Sequence, residues 1–208
     1  MTARIDIINR ALAGVGAKLL QSETASGGPA RLLDYEGVVG HILSSYPWTF
    51  CTRTRVLTRK ADAPNAHWDY LYELPADMKG APRALFDRSD CRVPFQDWEP
   101  VEPRAIATDA VAVWCQYHVD PGPGFWPAYV AHAISVALSA RFALTVREDA
   151  ALHRLLTAEA FGTEGMMGEG GLVGQARAYD AQSRPSRRIS IGSNPLIDAR
   201  RAGGSWRT

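Results

Sequence analysis

The stretch WPAYVAHAISVALSARFALTV, residues 126–146, decides how the rest of the chain is read. It follows the breaker Asp120-Pro121-Gly122-Pro123-Gly124, and Pro127 sits near the first helical position, where a missing N–H costs nothing. Apolar residues cover most sides of a helix drawn through it, so it reads as a central buried helix. His132, Ser135 and Ser139 make a narrow polar seam along it. Its apolar run, 129–144, is too short and too polar to be read as a membrane span.

A buried helix needs amphipathic partners, and the flanks supply them. Ile5, Ile8, Leu12, Val15 and Leu19 follow a 3,4,3,4 spacing, with Thr2 as the cap. Gly14 and Gly16 weaken that helix's end by about 1 kcal/mol each if still helical. A small-residue loop, 22–29, leads to a second helix over 30–46, with Leu32, Tyr35, Val39, Ile42 and Tyr46 on one stripe. Pro47 stops it, because proline disfavours helical geometry in the residue before it. Downstream, a fourth helix starts near Arg147 and carries Leu152, Leu155 and Leu156. Residues 162–174 hold six glycines beside Met166 and Met167 and read as a flexible loop or broken helix. Helical character returns over 175–182.

The period changes to two in the middle third. Residues 50–60 are rich in Thr and Val and place Arg53, Arg55 and Leu57 on one face. Trp68, Tyr70, Tyr72 and Leu74 alternate as a half-buried strand stopped by Pro75. Short β-like runs follow at 83–87, 92–96 and 104–107. Val111, Val113, Cys115, Tyr117 and Val119 alternate again. The fold class expected is mainly α with a β insertion (α+β). A bundle of about four helices is formed by 1–48 and 124–183, a small β-rich domain (49–123) is inserted in it, and 184–208 is an extended basic C-terminal arm.

With 208 residues, the chain has Lys+Arg 23, Asp+Glu 22 and a formal charge of +1. That near-neutrality argues against a bulk electrostatic nucleic-acid binder, and 46% hydrophobic residues argue against wholesale disorder. The average conceals a split. Residues 184–208 carry six arginines and one aspartate, +5, while the other 17 basic and 21 acidic side chains give −4. A disordered terminus is the commonest fate of such an end. Here Ile189, Ile191, Leu196, Ile197 and Trp206 stand among Arg184, Arg187, Arg188, Arg200 and Arg201, a mixture of anchors and charge that favours a docking arm.

No nucleophile elbow, P-loop, HExxH or GxGxxG motif occurs. Cys51, Cys91 and Cys115 are odd in number and without a CxxC pair, so neither a disulfide framework nor a zinc ribbon is expected. Cys115 and His118, three apart on a strand, point to opposite faces, and a buried thiol beside an ordinary histidine is the better reading. His132, on the central helix, reads as a satisfied core histidine or an inter-subunit hydrogen bond rather than a metal ligand. Asp62, Asp69, Asp77, Asp87, Asp90 and Asp97 read as turn formers. The cluster Arg53, Arg55, Arg59 and Lys60 reads as a solvated strand face before it reads as a phosphate contact. No catalytic residue, metal or cofactor is expected. Six tryptophans are more than a core this small needs, so subunit or tail contacts are expected at Trp48, Trp98 and Trp126, with Arg53 and Arg55.

Several stretches, in order, resemble one family. Residues 8–16, from Ile8-Asn9-Arg10-Ala11-Leu12 to Gly16, resemble the N-x-A-L-x-x-x-G opening of phage tail tubular protein A, the head-to-tail adaptors of short-tailed phages. Pro47-Trp48-Thr49-Phe50 is similar to that family's P-W-x-F. Residues 68–77 are similar to its Y-x-Y-x-L-P-x-D strand. Tyr117-His118-Val119 followed by Trp126-Pro127 is similar to its later strand and third helix, and 175–182 resembles its closing A-x-x-x-D helix. Together these span about 5–183. The resemblance implies a helical bundle with an inserted β domain. It also implies a ring, usually of twelve copies, at the head–tail neck of a virion, assembled in the host cytoplasm. Its partners would be the portal protein above, met by the C-terminal arm, and a tail nozzle below, with double-stranded DNA passing the lumen unread and no membrane partner. The Gly-rich 162–174 stretch departs from the continuous fourth helix of that pattern. Two other classes stay in view: a nucleic-acid-binding module built on Arg53, Arg55 and the arm, and a cell-wall or Cys-His hydrolase using Cys115 and His118.

Overall fold

A computed structural model of the chain describes residues 3–61, 67–163 and 170–183. The protein is mixed α+β, with five helices and two antiparallel sheets among the described residues. The helices are α1 (Arg4–Gly14), α2 (Gly28–Ser44), α3 (Ala128–Thr145), α4 (Ala150–Phe161) and α5 (Gly171–Gln182). The count of about four is corrected to five, because α5 begins inside the Gly-rich stretch, at Gly171 rather than near Gln175. Residues 164–169, with Met166 and Met167, and the arm 184–208 lie outside the described residues.

Helix α3 is the hub: α1, α2, α4 and α5 all pack on it. Val130, Ile134, Leu138 and Phe142, each four apart, are fully buried. Contrary to the expectation drawn from 129–144, the 18 residues of α3, at a mean hydropathy of 1.3, are long and apolar enough for a membrane span by length and composition, and 61% of that window is buried inside the protein itself. The polar seam splits. Ser135 and Ser139 are buried, whereas His132 is exposed, which removes it from the core. Ser139 Oγ lies 2.9 Å from Ser135 O and 3.1 Å from Ala11 O, joining α3 to α1. Gly14 closes that contact: a Cβ there would stand 2.9 Å from Ser139 Oγ.

Helix α1 starts one residue later than expected. Ala3 is the N-cap position, Thr2 lies outside the described residues, and Asp6 accepts the Ala3 N–H at 2.8 Å. Its end is a glycine cap: Gly16, at φ 65°, donates to Ala13 O and Ala17 donates to Leu12 O. The chain turns there, so Leu19 leaves the stripe and is 52% exposed while Leu20 is buried in its place. Arg147 Nη1 adds a cation to the same carbonyl end, 3.1 Å from Val15 O. Helix α2 begins at Gly28 with Pro29 in its first turn. Helix α4 is capped by Asp149, whose carboxylate accepts the Ala151 and Leu152 N–H groups. Its Leu155 is 66% exposed.

The β unit between α2 and α3 contains β1 (Thr52–Val56), β2 (Thr58–Arg59), β3 (Tyr70–Glu73), β4 (Lys79–Phe86), β5 (Glu99–Glu102), β6 (Ala105–Thr108) and β7 (Trp114–His118). One sheet has the order β1-β7-β4 and the other β2-β3-β6-β5. Leu57 alone separates β1 from β2 and carries the chain from one sheet into the other. It turns inward while Arg53 and Arg55 face solvent, so these three do not act as one face. Leu57, Tyr72, Leu85, Ile106, Cys115 and Tyr117 share a core to which both sheets contribute. Strand β3 is covered on its other side too, where Leu71 packs with Ala105 and Ala107 beneath Trp68, so it is not half-buried. The run 92–96 forms no strand beyond a bridge from Phe95 to Leu85, β5 carried no strand signal, and Val111 precedes β7 and is 76% exposed.

Candidate functional site

The short motifs converge in space. Asp180, fully buried on α5, accepts from Thr49 N–H at 3.0 Å and from Thr49 Oγ1 at 2.6 Å, across 131 residues of sequence. Trp48, beside Thr49, is fully buried and donates from Nε1 to Ile42 O at 3.0 Å, binding the last turn of α2. In the β unit, Asp77 accepts from Tyr117 Oη at 3.1 Å and pairs with Arg53 at 3.3 Å. It is therefore a cross-strand anchor and not only a turn former. Asn9 Nδ2 donates to Leu20 O and its Oδ1 accepts the Leu20 N–H, pinning the chain that leaves α1. Each motif residue so placed holds one element against another.

The expected contact residues separate. Trp48 and Trp126 are buried and serve the helical core, so they are not surface contacts. Trp126 stacks on Tyr35 with ring centres 6.5 Å apart. Trp98 is half-buried, and Arg53 and Arg55 are exposed. The basic cluster is largely committed within the chain: Arg53 to Asp77, Lys60 to Glu102 at 2.8 Å, and Arg59 over the Tyr70 ring at 3.8 Å. The arm residues Arg184, Arg187, Arg188, Ile189, Ile191, Leu196, Ile197, Arg200, Arg201 and Trp206 lie outside the described residues, as does Asp62. The large apolar side chains left exposed are others, among them Leu33, Phe125, Val93 and Tyr179.

Cys115 is fully buried, and burial pushes its thiol up to about 11. Such a thiol stays protonated at neutral pH, the opposite of an activated nucleophile. Among the described residues, no group of three His, Cys, Asp or Glu side chains is arranged to hold a metal ion.

A cleft of about 1030 Å³ opens between α2 and the bulged start of β4. Val39, Leu43, Cys51 and Val119 give it an apolar floor; Arg4, Glu36, Lys79, Arg83, His118 and Asp120 line it with charge or polarity. Tyr35 lies under Arg4, whose guanidinium is 5.8 Å from the ring centre. Burial pushes the Tyr35 hydroxyl up to about 12 against the opposing pull of Arg4, and burial, with Asp120 and Asp180 adding to it, pushes the Cys51 thiol up to about 12. Both floor groups are thus neutral donors near pH 7. These residues come from α1, α2, β4 and the 118–123 turn, so no local pattern announced the cleft. The one available signal was Gly40 inside an otherwise regular helix.

No protein-family model matches the chain, and no curated protein matches it.

Proposed function

We propose that the protein is a structural, non-enzymatic head-to-tail adaptor of a virion, forming a ring between portal and tail. The observation that carries this reading is the meeting of Thr49 and Asp180. The stretches that carry two of the resemblance's motifs meet through three donor–acceptor contacts, Thr49 standing at the variable position of P-W-x-F and Asp180 at the aspartate of the closing A-x-x-x-D helix. A β unit inserted between α2 and α3 supports the same reading.

In this reading the arm 184–208 docks on the portal, and neighbouring copies meet head to tail through different surfaces, as ring closure requires. Exposed Leu33, Phe125, Val93 and Leu155 supply apolar contact area in place of Trp48 and Trp126. A body of charge −4 lets double-stranded DNA pass without holding it. The test is the mass of the full chain, alone and mixed with the portal ring of the same virion. A monomer that becomes a ring on the portal, and fails to do so without 184–208, is expected. A chain that stays monomeric on the portal overturns the assignment.

A further inference from the structure

We infer that the cleft between α2 and β4 is a docking groove for an extended acidic segment of another polypeptide chain, with aliphatic side chains between its carboxylates. The inference stands on the cleft's own geometry and holds whether or not the chain builds a ring.

Three glycines line the cleft on different walls: Gly40 on α2, Gly80 on β4 and Gly122 after β7. A Cβ added at any of them would meet nothing within 4 Å. Gly80 and Gly122, at φ 75° and 84°, have a backbone reason to be glycine. Gly40 has none. It sits inside a helix, at a cost of about 1 kcal/mol relative to alanine, and no packing partner forbids a side chain. Gly37 on the same helix also has open space over it but does not line the cleft; Gly40 does, so a side chain there would project into the groove. Along the opposite wall, the pairing of β4 with β7 breaks between Lys79 and Ala84. The bulge leaves Gly80–Arg83 without ladder partners on β7, in the outer strand of the sheet, so that all of them but Pro82, which has no N–H to donate, can offer main-chain donors to an extended chain.

Charge fixes the kind of chain. Of the cleft's two carboxylates, Glu36 faces Arg4 at 3.9 Å, whereas Asp120 meets neutral donors, the Gly122 N–H at 2.8 Å and Trp126 Nε1 at 3.4 Å. Lys79 and Arg83 are exposed, and neither has a carboxylate partner among the described residues. Arg4, Lys79 and Arg83 outnumber Glu36 and Asp120, so the lining is net positive, while the floor of Val39, Leu43 and Val119 takes aliphatic side chains. The chain's own arm, at +5, has the wrong sign.

The test uses the full chain and three synthetic peptides: one alternating Glu with Val and Leu, one with Lys in place of each Glu, and one copying residues 184–208. Binding is followed calorimetrically at low and high salt. The Glu peptide binds at least about tenfold more tightly than the Lys peptide, and the gap narrows in high salt. Gly40→Leu fills the groove and abolishes binding while its melting temperature shows that the fold survives. Lys79→Glu with Arg83→Glu reverses the preference toward the Lys peptide. No binding of the Glu peptide, binding unchanged in both variants, or tighter binding of the 184–208 peptide each overturns the inference.

Discussion

The carboxylate of Asp180 sits 2.6 Å from Thr49 Oγ1 and 3.0 Å from Thr49 N, joining the last described helix to the turn that ends α2. Both oxygens are occupied, Oδ1 also lying 3.2 Å from the same N–H. Hydrogen bonds to an ionised acceptor are about twice as strong as neutral ones. Asp180→Ala therefore strands a polar N–H and a hydroxyl, and a loss of about 2–3 kcal/mol in urea unfolding is expected, with Thr49→Ala costing less. A double-mutant cycle should show coupling of about 1 kcal/mol or more. Strict additivity would mean that the two residues do not hold α5 in place.

Two glycines should respond in opposite directions. Gly171 opens α5 at φ 63°, and a Cβ there would stand 2.5 Å from Glu159 O at the end of α4. Gly171→Ala should cost more than about 2 kcal/mol through strain and clash. Gly40→Ala, with open space over the site, should raise stability by about 0.5–1 kcal/mol. Thermal melts of the two variants decide both points.

Thiol reactivity should divide the cysteines. Cys51 and Cys115 are buried, whereas Cys91 is partly accessible. A slow alkylating reagent at neutral pH should label Cys91 in the native protein and all three cysteines only after unfolding. Native labelling of Cys115 would revive the hydrolase reading.

The same burial makes stability fall in alkali. The Cys51 and Tyr35 values are both raised to about 12, from 9.0 and 10.0 respectively. The folded state therefore keeps protons that the unfolded chain releases. The stabilising contribution is complete below pH 9 and is lost as pH rises toward 12, at up to about 1.4 kcal/mol per pH unit per group. Cys51→Ala should flatten the first part of that decline in melts between pH 8 and 11. An equally steep decline in this variant would assign the effect to other groups.

Trp48 should behave as a core residue. It is fully buried, and its indole N–H serves Ile42 O at the end of α2. Trp48→Phe should cost about 2–4 kcal/mol by combining lost volume with a lost hydrogen bond. A neutral effect on stability with weakened self-association would return it to the interface.

How much of this was legible in the chain depends on whether the pattern was local. The 3,4 spacing of Ile8, Leu12 and Val15 and the all-round apolar face of 128–145 fixed α1 and α3, because helical periodicity is written within a few turns. Alternation from Val113 to Val119 fixed β7 for the same reason. Glu99-Pro-Val-Glu carries no alternation, and β5 exists only because β6 offers it a ladder. Leu19 has the right spacing but the wrong outcome, since a cap or a facing helix decides which residues of a stripe are covered. The six tryptophans show the same limit: residue type gave a propensity for interfaces, and position sent Trp48 and Trp126 inside. The candidate cleft was least legible. The chain by itself determined most of its helices and strands, and the split between a −4 body and a +5 end. Only the tertiary structure decided which aspartate meets which threonine, which cations stay unpaired, and where a groove opens. Those are relations between residues far apart in sequence, and no local period encodes them.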